Sequence, residues 1–223
     1  RDALRPTSVS RRAAVSSCEK AGRWRAGLAL LGSVLEAGVA PDVVCVSAAV
    51  SACEKAAQWQ PAVALFHDIR GLRVVPNAVS CNAAISACEK GNQWQVALQF
   101  FGSMPSLSWP PYLISCNAAT SACEKGSRWC MALALLGSMQ ELHVMPDAIS
   151  CNAALGACER SGLWQLALSL LFHPPELRSL ANVISWKVAM TANERSGQHM
   201  AALTLLGSMG GCWRQLGRVA LQK

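Results

Sequence analysis

Charge and long apolar runs are both scarce in this chain of 223 residues. Only 15% of its residues are charged against 52% hydrophobic, which excludes a disordered, self-repelling tail and leaves ample chain to bury a core. The longest apolar runs, such as MALALLGSM from Met131 to Met139, fall far short of the ~20 apolar residues a bilayer demands. The mean hydropathy of +0.26 therefore reports a core. No secretory signal is visible, and the four histidines stand at no zinc-finger spacing from the eleven cysteines. A disulfide scaffold and a structural metal are thereby disfavoured. Paired carboxylates, a Ser-His-Asp arrangement and the HxE-with-CxxC deaminase pattern are all missing, so neither an enzyme, a cofactor nor a small-molecule substrate is expected. A net charge of +7 favours a polyanionic partner.

What is present is periodicity. CEK begins at Cys18, Cys53, Cys88 and Cys123, followed by CER at Cys158 and NER at Asn193, each step being 35 residues. Tryptophan keeps the same beat at Trp24, Trp59, Trp94, Trp129 and Trp164, with His199 in the sixth place, and Pro6, Pro41, Pro76, Pro111 and Pro146 mark the repeat ends. A fixed period of this length signals stacked units, none of which can bury its apolar face alone. The units run 8–42, 43–77, 78–112, 113–147, 148–182 and a degenerate 183–217, with 1–7 as the tail of a preceding repeat and 218–223 as a C-terminal tail. The chain starts within an array and is expected to be a fragment.

Within Ala78 to Tyr112, the residues Cys81, Ala84, Ile85 and Cys88 fall at i, i+3, i+4, i+7 and predict one helix. Gly91 supplies a stop. A second stripe, Trp94, Ala97, Leu98, Phe101 and Met104, predicts another helix, closed by the proline before the next unit. The expectation is an all-α solenoid of about six helix-turn-helix repeats, each an antiparallel helix pair. HPP at His173 to Pro175 and SLSWPPY at Ser106 to Tyr112 should disturb the fifth and third units. The cysteines read as reduced, buried small hydrophobes, which implies a reducing compartment. The tryptophans read as inter-repeat packing.

Some polar positions recur. The thirteenth position is always a cation: Lys20, Lys55, Lys90, Lys125, Arg160 and Arg195. The residue after it drifts through Ala, Gly and Ser. The second position is always β-branched: Val9, Val44, Val79, Ile114, Ile149 and Ile184. The fifth holds Arg12, Ser47, Asn82, Asn117, Asn152 and Lys187, although asparagine is a mediocre helix residue. The last holds Asp42, Asn77, Tyr112, Asp147, Asn182 and Gly217. Positions two, five, nine and thirteen share one side of the first helix. An apolar wedge, a hydrogen-bonding group and a positive charge once per unit suit single-stranded nucleic acid, whose base faces, base edges and phosphates they match. Glutamates adjacent to the cations, such as Glu54 and Glu89, offer a competing pairing that would blunt the field.

The 35-residue period, the (V/I)SCN start, the small-residue helix, the EKG-type turn, the ALxLL second helix and the terminal Pro-Asp or Pro-Asn together resemble the pentatricopeptide repeat family, over Ser8 to about Met209. A tetratricopeptide array fits less well, its period being 34 and its signature absent. Cysteine for the usual tyrosine at position four and tryptophan at position seventeen depart from the family. The resemblance implies a right-handed superhelix whose first helices bind single-stranded RNA, one base per unit. Positions five and last would read the base: Ser47 with Asn77 favouring adenine, Asn117 with Asp147 uracil, and Asn152 with Asn182 cytosine over uracil. Asn82 with Tyr112, Arg12 with Asp42, and Lys187 with Gly217 depart from the usual pairs, giving 5′-N-A-N-U-Y-N-3′. Val44, Val79, Ile114, Ile149 and Ile184 would sandwich bases, and the thirteenth-position cations would face phosphates. The resemblance further implies RNA processing, stabilisation or translation in a chloroplast or mitochondrion, with RNA-processing proteins as further partners. A protein–protein scaffold without RNA is the alternative that helical solenoids also serve.

Overall fold

A computed structural model describes residues 8–38, 41–68, 74–172 and 183–197. Among these residues the chain is an all-α repeat array with no strand. First helices of equal length recur at α1 (Ser8–Lys20), α3 (Val43–Lys55), α5 (Ala78–Lys90), α7 (Leu113–Lys125), α9 (Ala148–Arg160) and α11 (Val183–Arg195). Between them lie α2 (Trp24–Glu36), α4 (Trp59–Asp68), α6 (Trp94–Ser103), α8 (Trp129–Glu141) and α10 (Trp164–Phe172), with a 3₁₀ turn at Pro105–Leu107 after α6. The HPP break, Asn182, His199, Gly217 and both expected tails lie outside the described residues.

The helices divide into two compact units, Arg1–Gly126 and Ser127–Lys223. In the first, α1, α3, α5 and α7 pack side by side in sequence, and each second helix wedges between its own first helix and the next. In the second, α9 packs on α8, α10 and α11, and α10 on α11. A first helix is thus surrounded, which explains its composition. In α5, Ser80, Cys81, Ala83, Ala84, Ile85, Ala87 and Cys88 are all buried, and residues this small let neighbouring helix axes close up. A second helix buries only a narrow stripe, such as Ala62 and Phe66 on α4 or Ala97 and Phe100 on α6.

That stripe differs by one residue from the sequence expectation on α6. Phe100, not Phe101, points inward and meets Phe66 edge-on, with ring centroids 5.0 Å apart. Leu98 and Phe101 are half-buried, because α6 touches two first helices rather than one and its apolar arc is correspondingly wide.

The helix ends also correct the sequence reading. Gly91 has φ −85°, so it is not the left-handed residue; Asn92 is, at φ 57°. The turn closes with Gln93 N–H donating to the Cys88 carbonyl at 2.8 Å, and Gln58 to Cys53 and Leu163 to Cys158 repeat that bond. Nor do the prolines close the second helices. Helix α2 stops at Glu36, before Pro41, with Gly38 at φ 68°, and α8 stops at Glu141, before Pro146, with His143 at φ 55°. The prolines instead precede the N-cap of the following helix, where the extended backbone they favour is needed.

Glycine at 91 and 126 has a steric reason. A Cβ on Gly91 would lie 2.3 Å from Cδ1 of Trp59, and one on Gly126 would lie 2.5 Å from Cδ1 of Trp94. The tryptophan opening each of these second helices therefore sits on the turn of the next repeat. What the sequence presents as drift after the cation is, at these two positions, clearance for an indole. Trp24, whose corresponding turn residue is Ala56, instead carries the Arg25 guanidinium 5.1 Å from its ring centroid.

The cysteines among the described residues are free thiols, and only Cys130 is exposed. Burial pushes the Cys81 and Cys88 thiols up to about 12 and those of Cys53, Cys116 and Cys158 up to about 11. Such thiols are inert hydrophobes at neutral pH.

Candidate nucleic-acid interface

Four last-position residues, Asp42, Asn77, Tyr112 and Asp147, do structural work before they can do anything else, because each is the N-cap of the next first helix. The Asp42 carboxylate accepts from Cys45 N–H at 2.8 Å, Asn77 Oδ1 from Ser80 N–H at 2.9 Å, and Asp147 Oδ1 from the N–H groups of Ile149 and Ser150 at 2.9 Å. The third-position serine completes a capping box. Ser80 Oγ accepts from Asn77 N–H at 3.2 Å and donates to the Asn77 carbonyl at 2.8 Å, and Ser115 does the same around Tyr112 at 2.8 and 2.7 Å. The Tyr112 side chain makes no cap bond and is exposed. Ser80, Ser115, Ser150 and Ser185 are fully buried. Sequence reading gave these serines no role, although an N3 serine after Asn or Asp was the available signal.

In the first two repeats capping holds the last-position side chain beside the fifth position. Arg12 pairs with Asp42 at 2.5 Å, and Ser47 Oγ donates to Asn77 Oδ1 at 3.2 Å. Ser47 is buried, whereas Asn82, Asn117 and Asn152 are half-buried. In the second unit, Asn152 Oδ1 accepts from Ser185 Oγ at 2.5 Å, which ties the fifth position of one repeat to the third of the next. Asn82 Oδ1 is buried and has no hydrogen-bond partner. An orphaned amide oxygen is costly, at ~1–3 kcal/mol, and a donor arriving from outside would satisfy it. Asn117 lies in the first unit and Asp147 in the second.

Next to these polar groups, the second-position side chains stand out from the surface. Val44, Val79 and Ile114 in the first unit are 48%, 60% and 66% exposed, and Ile149 and Ile184 in the second are each 58% exposed. They are five of the twelve exposed large apolar side chains among the described residues, and they recur at the same place in the second to sixth repeats.

Four of the thirteenth-position cations, Lys55, Lys90, Lys125 and Arg195, are engaged, and not by the glutamate beside them. Lys55 Nζ lies 3.0 Å from Glu19, Lys90 2.9 Å from Glu54 and Lys125 2.9 Å from Glu89, so each reaches the twelfth position of the preceding repeat. In the second unit Arg195 reaches Glu159 at 3.1 Å. These are partly exposed pairs, each worth ~0.2–1 kcal/mol. Lys20 and Arg160 are exposed. Among the described residues, no group of three or more His, Cys, Asp or Glu could hold a metal ion, and no helix is long and apolar enough to cross a membrane.

The family model of the PPR repeat matches residues 79–108. Among solved structures, the pentatricopeptide repeat protein PPR10 from maize matches with a TM-score of 0.71 at 26% identity, over 89% of this chain and 28% of that one. PPR10 in complex with an 18-nt psaJ RNA element matches with a TM-score of 0.65 at 23% identity, over 95% and 29%. The PPR domain of Arabidopsis thaliana protein-only RNase P 1, in complex with tRNA, matches with a TM-score of 0.68 at 15% identity, over 81% and 95%. No curated protein matches the chain in sequence. The chain thus spans less than a third of PPR10, and the two matches at 23% and 15% identity bear on the fold alone. The repeat model matches a single unit of this chain, and the helix-pair array shares the fold of solved pentatricopeptide repeat structures.

Proposed function

We propose that this chain is a sequence-selective binder of single-stranded RNA that takes one base per repeat and acts by occupying a segment rather than by chemistry. The observation that carries this reading is the pairing of fifth and last positions, Arg12 with Asp42 and Ser47 with Asn77, together with an exposed aliphatic side chain at the second position of the second to sixth repeats. A base edge meets the polar pair, and its faces rest against Val44, Val79, Ile114, Ile149 and Ile184. Capping supports the same reading, because a last-position oxygen held by backbone N–H groups is pre-organised and loses little freedom when a base docks. The orphaned Oδ1 of Asn82 suits a base that presents an amino group.

The base-reading residues are Ser47, Asn77, Asn82, Tyr112, Asn117, Asp147, Asn152 and Asn182. The preferred segment is 5′-N-A-N-U-Y-N-3′. Lys20, Lys55, Lys90, Lys125, Arg160 and Arg195 face the phosphates, several of them in competition with the glutamates described above. The setting is RNA processing, stabilisation or translation in a chloroplast or mitochondrion, alongside other RNA-processing proteins. PPR10, a family member, has been solved with RNA bound.

The test is a change of preference. Ser47→Asn together with Asn77→Asp should move one base of the segment from adenine towards uracil, read by competition between oligonucleotides that differ only there. An unchanged preference overturns the base assignments. Equal binding of matched and scrambled RNA overturns sequence selectivity, and absence of RNA binding leaves the protein–protein scaffold as the better reading.

A further inference from the structure

We infer that the twelfth-position glutamates are internal competitors for phosphate, each holding the cation of the next repeat until a polyphosphate backbone displaces the carboxylate. The inference rests on the RNA reading only for the identity of the polyanion. Three observations carry it.

The pairing is systematic: Glu19 with Lys55, Glu54 with Lys90 and Glu89 with Lys125 share one geometry, with N···O distances of 2.9–3.0 Å across successive repeats. Glu159 with Arg195 repeats it in the second unit at 3.1 Å. Second, in every pair the cation is the more exposed partner. The lysine side chains are 33–43% exposed against 20–27% for the glutamates, and Arg195 is 61% exposed against 16% for Glu159. An anion arriving from solvent meets the ammonium before the carboxylate.

The third observation is position. Eleven residues separate the second and thirteenth positions, which at 3.6 residues per turn returns the cation to within about 20° of the same helix face, ~16 Å along the axis. The row of ion pairs therefore runs beside the row of exposed valines and isoleucines.

The exchange is close to balanced because the pairs are partly solvated; a fully buried pair could not give up its partner to a ligand. Its consequence is specificity. Phosphate contacts supply the sequence-independent share of affinity. Glutamates that compete for the cations reduce that share and leave discrimination to the base contacts.

The test uses the full chain and two variants of equal charge. The ladder variant is Glu19→Gln, Glu54→Gln and Glu89→Gln. The control variant is Glu36→Gln, Asp68→Asn and Glu141→Gln, whose residues lie on second helices outside the ladder. Each raises the net charge from +7 by three, to +10. Binding is measured to inorganic polyphosphate and to matched and scrambled oligoribonucleotides across a salt series.

The ladder variant should bind all three probes about 3- to 30-fold more tightly at low salt. For RNA, the log–log salt slope should steepen by up to ~2, or ~0.7 for each lysine released. The control variant should gain much less and keep its slope. Equal gains in both variants, or no gain in the ladder variant, overturn the inference. A ladder gain on polyphosphate without RNA sequence preference overturns base reading and leaves the competition standing; preference without a ladder gain does the reverse. Failure of every variant to bind any polyanion overturns both. Should the triple variant unfold, Glu54→Gln alone should steepen the RNA slope by ~0.7, and no change refutes the competition.

Discussion

Gly91→Ala is the most pointed test of how one repeat is keyed to the next. The substitution leaves the backbone untroubled: Gly91 has φ −85° and ψ 6°, and the equivalent residue one repeat earlier, Ala56, has φ −86° and ψ 4°. By backbone reasoning alone, alanine should stabilise by ~0.4–1 kcal/mol, through a less free unfolded chain. The tertiary structure reverses the sign. The new Cβ would meet Trp59 at 2.3 Å from Cδ1, 2.7 Å from Cγ and 2.9 Å from Cβ. These are root atoms of the side chain, so no swing of its far end relieves the overlap. Overpacking of this kind costs ~1–3 kcal/mol, leaving a net loss of about 1–2 kcal/mol. In a Trp59→Ala background only the Cβ contact remains, and Gly91→Ala should become nearly neutral. The coupling between the two sites is then at least about 1 kcal/mol. Urea unfolding followed by far-ultraviolet circular dichroism on the four proteins of the cycle supplies it. A Gly91→Ala variant as stable as the parent, or equal effects in both backgrounds, would refute the packing argument.

Two further outcomes follow from the backbone and the thiols. Ala57 sits at φ 54°, a left-handed conformation that costs an L-residue ~1–2 kcal/mol, so Ala57→Gly should stabilise by roughly 0.5–1 kcal/mol after glycine's greater unfolded freedom is counted. Thermal melts read this, and a destabilised variant contradicts it. Seven thiols, those of Cys45, Cys53, Cys81, Cys88, Cys116, Cys151 and Cys158, are raised by burial from 9.0 to about 11 or 12. The folded state keeps them neutral while the unfolded chain ionises above pH 9, so their contribution is intact below pH 9 and falls by up to ~1.4 kcal/mol per thiol per pH unit above it. Helical signal should be lost near pH 10 and recovered on return to pH 8, with the thiolate absorbance of these seven thiols appearing only as the helices melt; seven thiolates titrating near pH 9 in an intact helical protein would contradict the burial. At neutral pH, a maleimide should label Cys130 before the other described cysteines.

The sequence by itself determined the period, the two helices of each repeat whose helices are described and the buried face of α5, because those features depend on stripes and stop signals within a few residues of one another. Cys81, Ala84, Ile85 and Cys88 could be assigned to a core with no knowledge of their neighbours, and all four are fully buried. The recurrent fifth- and last-position residues were legible too, since repetition exposes a polar residue that a lone helix would hide. The tertiary structure decided whatever depends on a residue one repeat away. Glutamate adjacent to lysine in the chain points along its own helix, and only stacking brings Glu54 to Lys90 rather than to Lys55. Glycine after the cation is indistinguishable from drift until the indole of the preceding repeat occupies the space. The inward turn of Phe100 over Phe101 required knowing that α6 is shared between two first helices. Each of these is a contact between consecutive turns of a one-dimensional stack, which local periodicity announces but cannot orient.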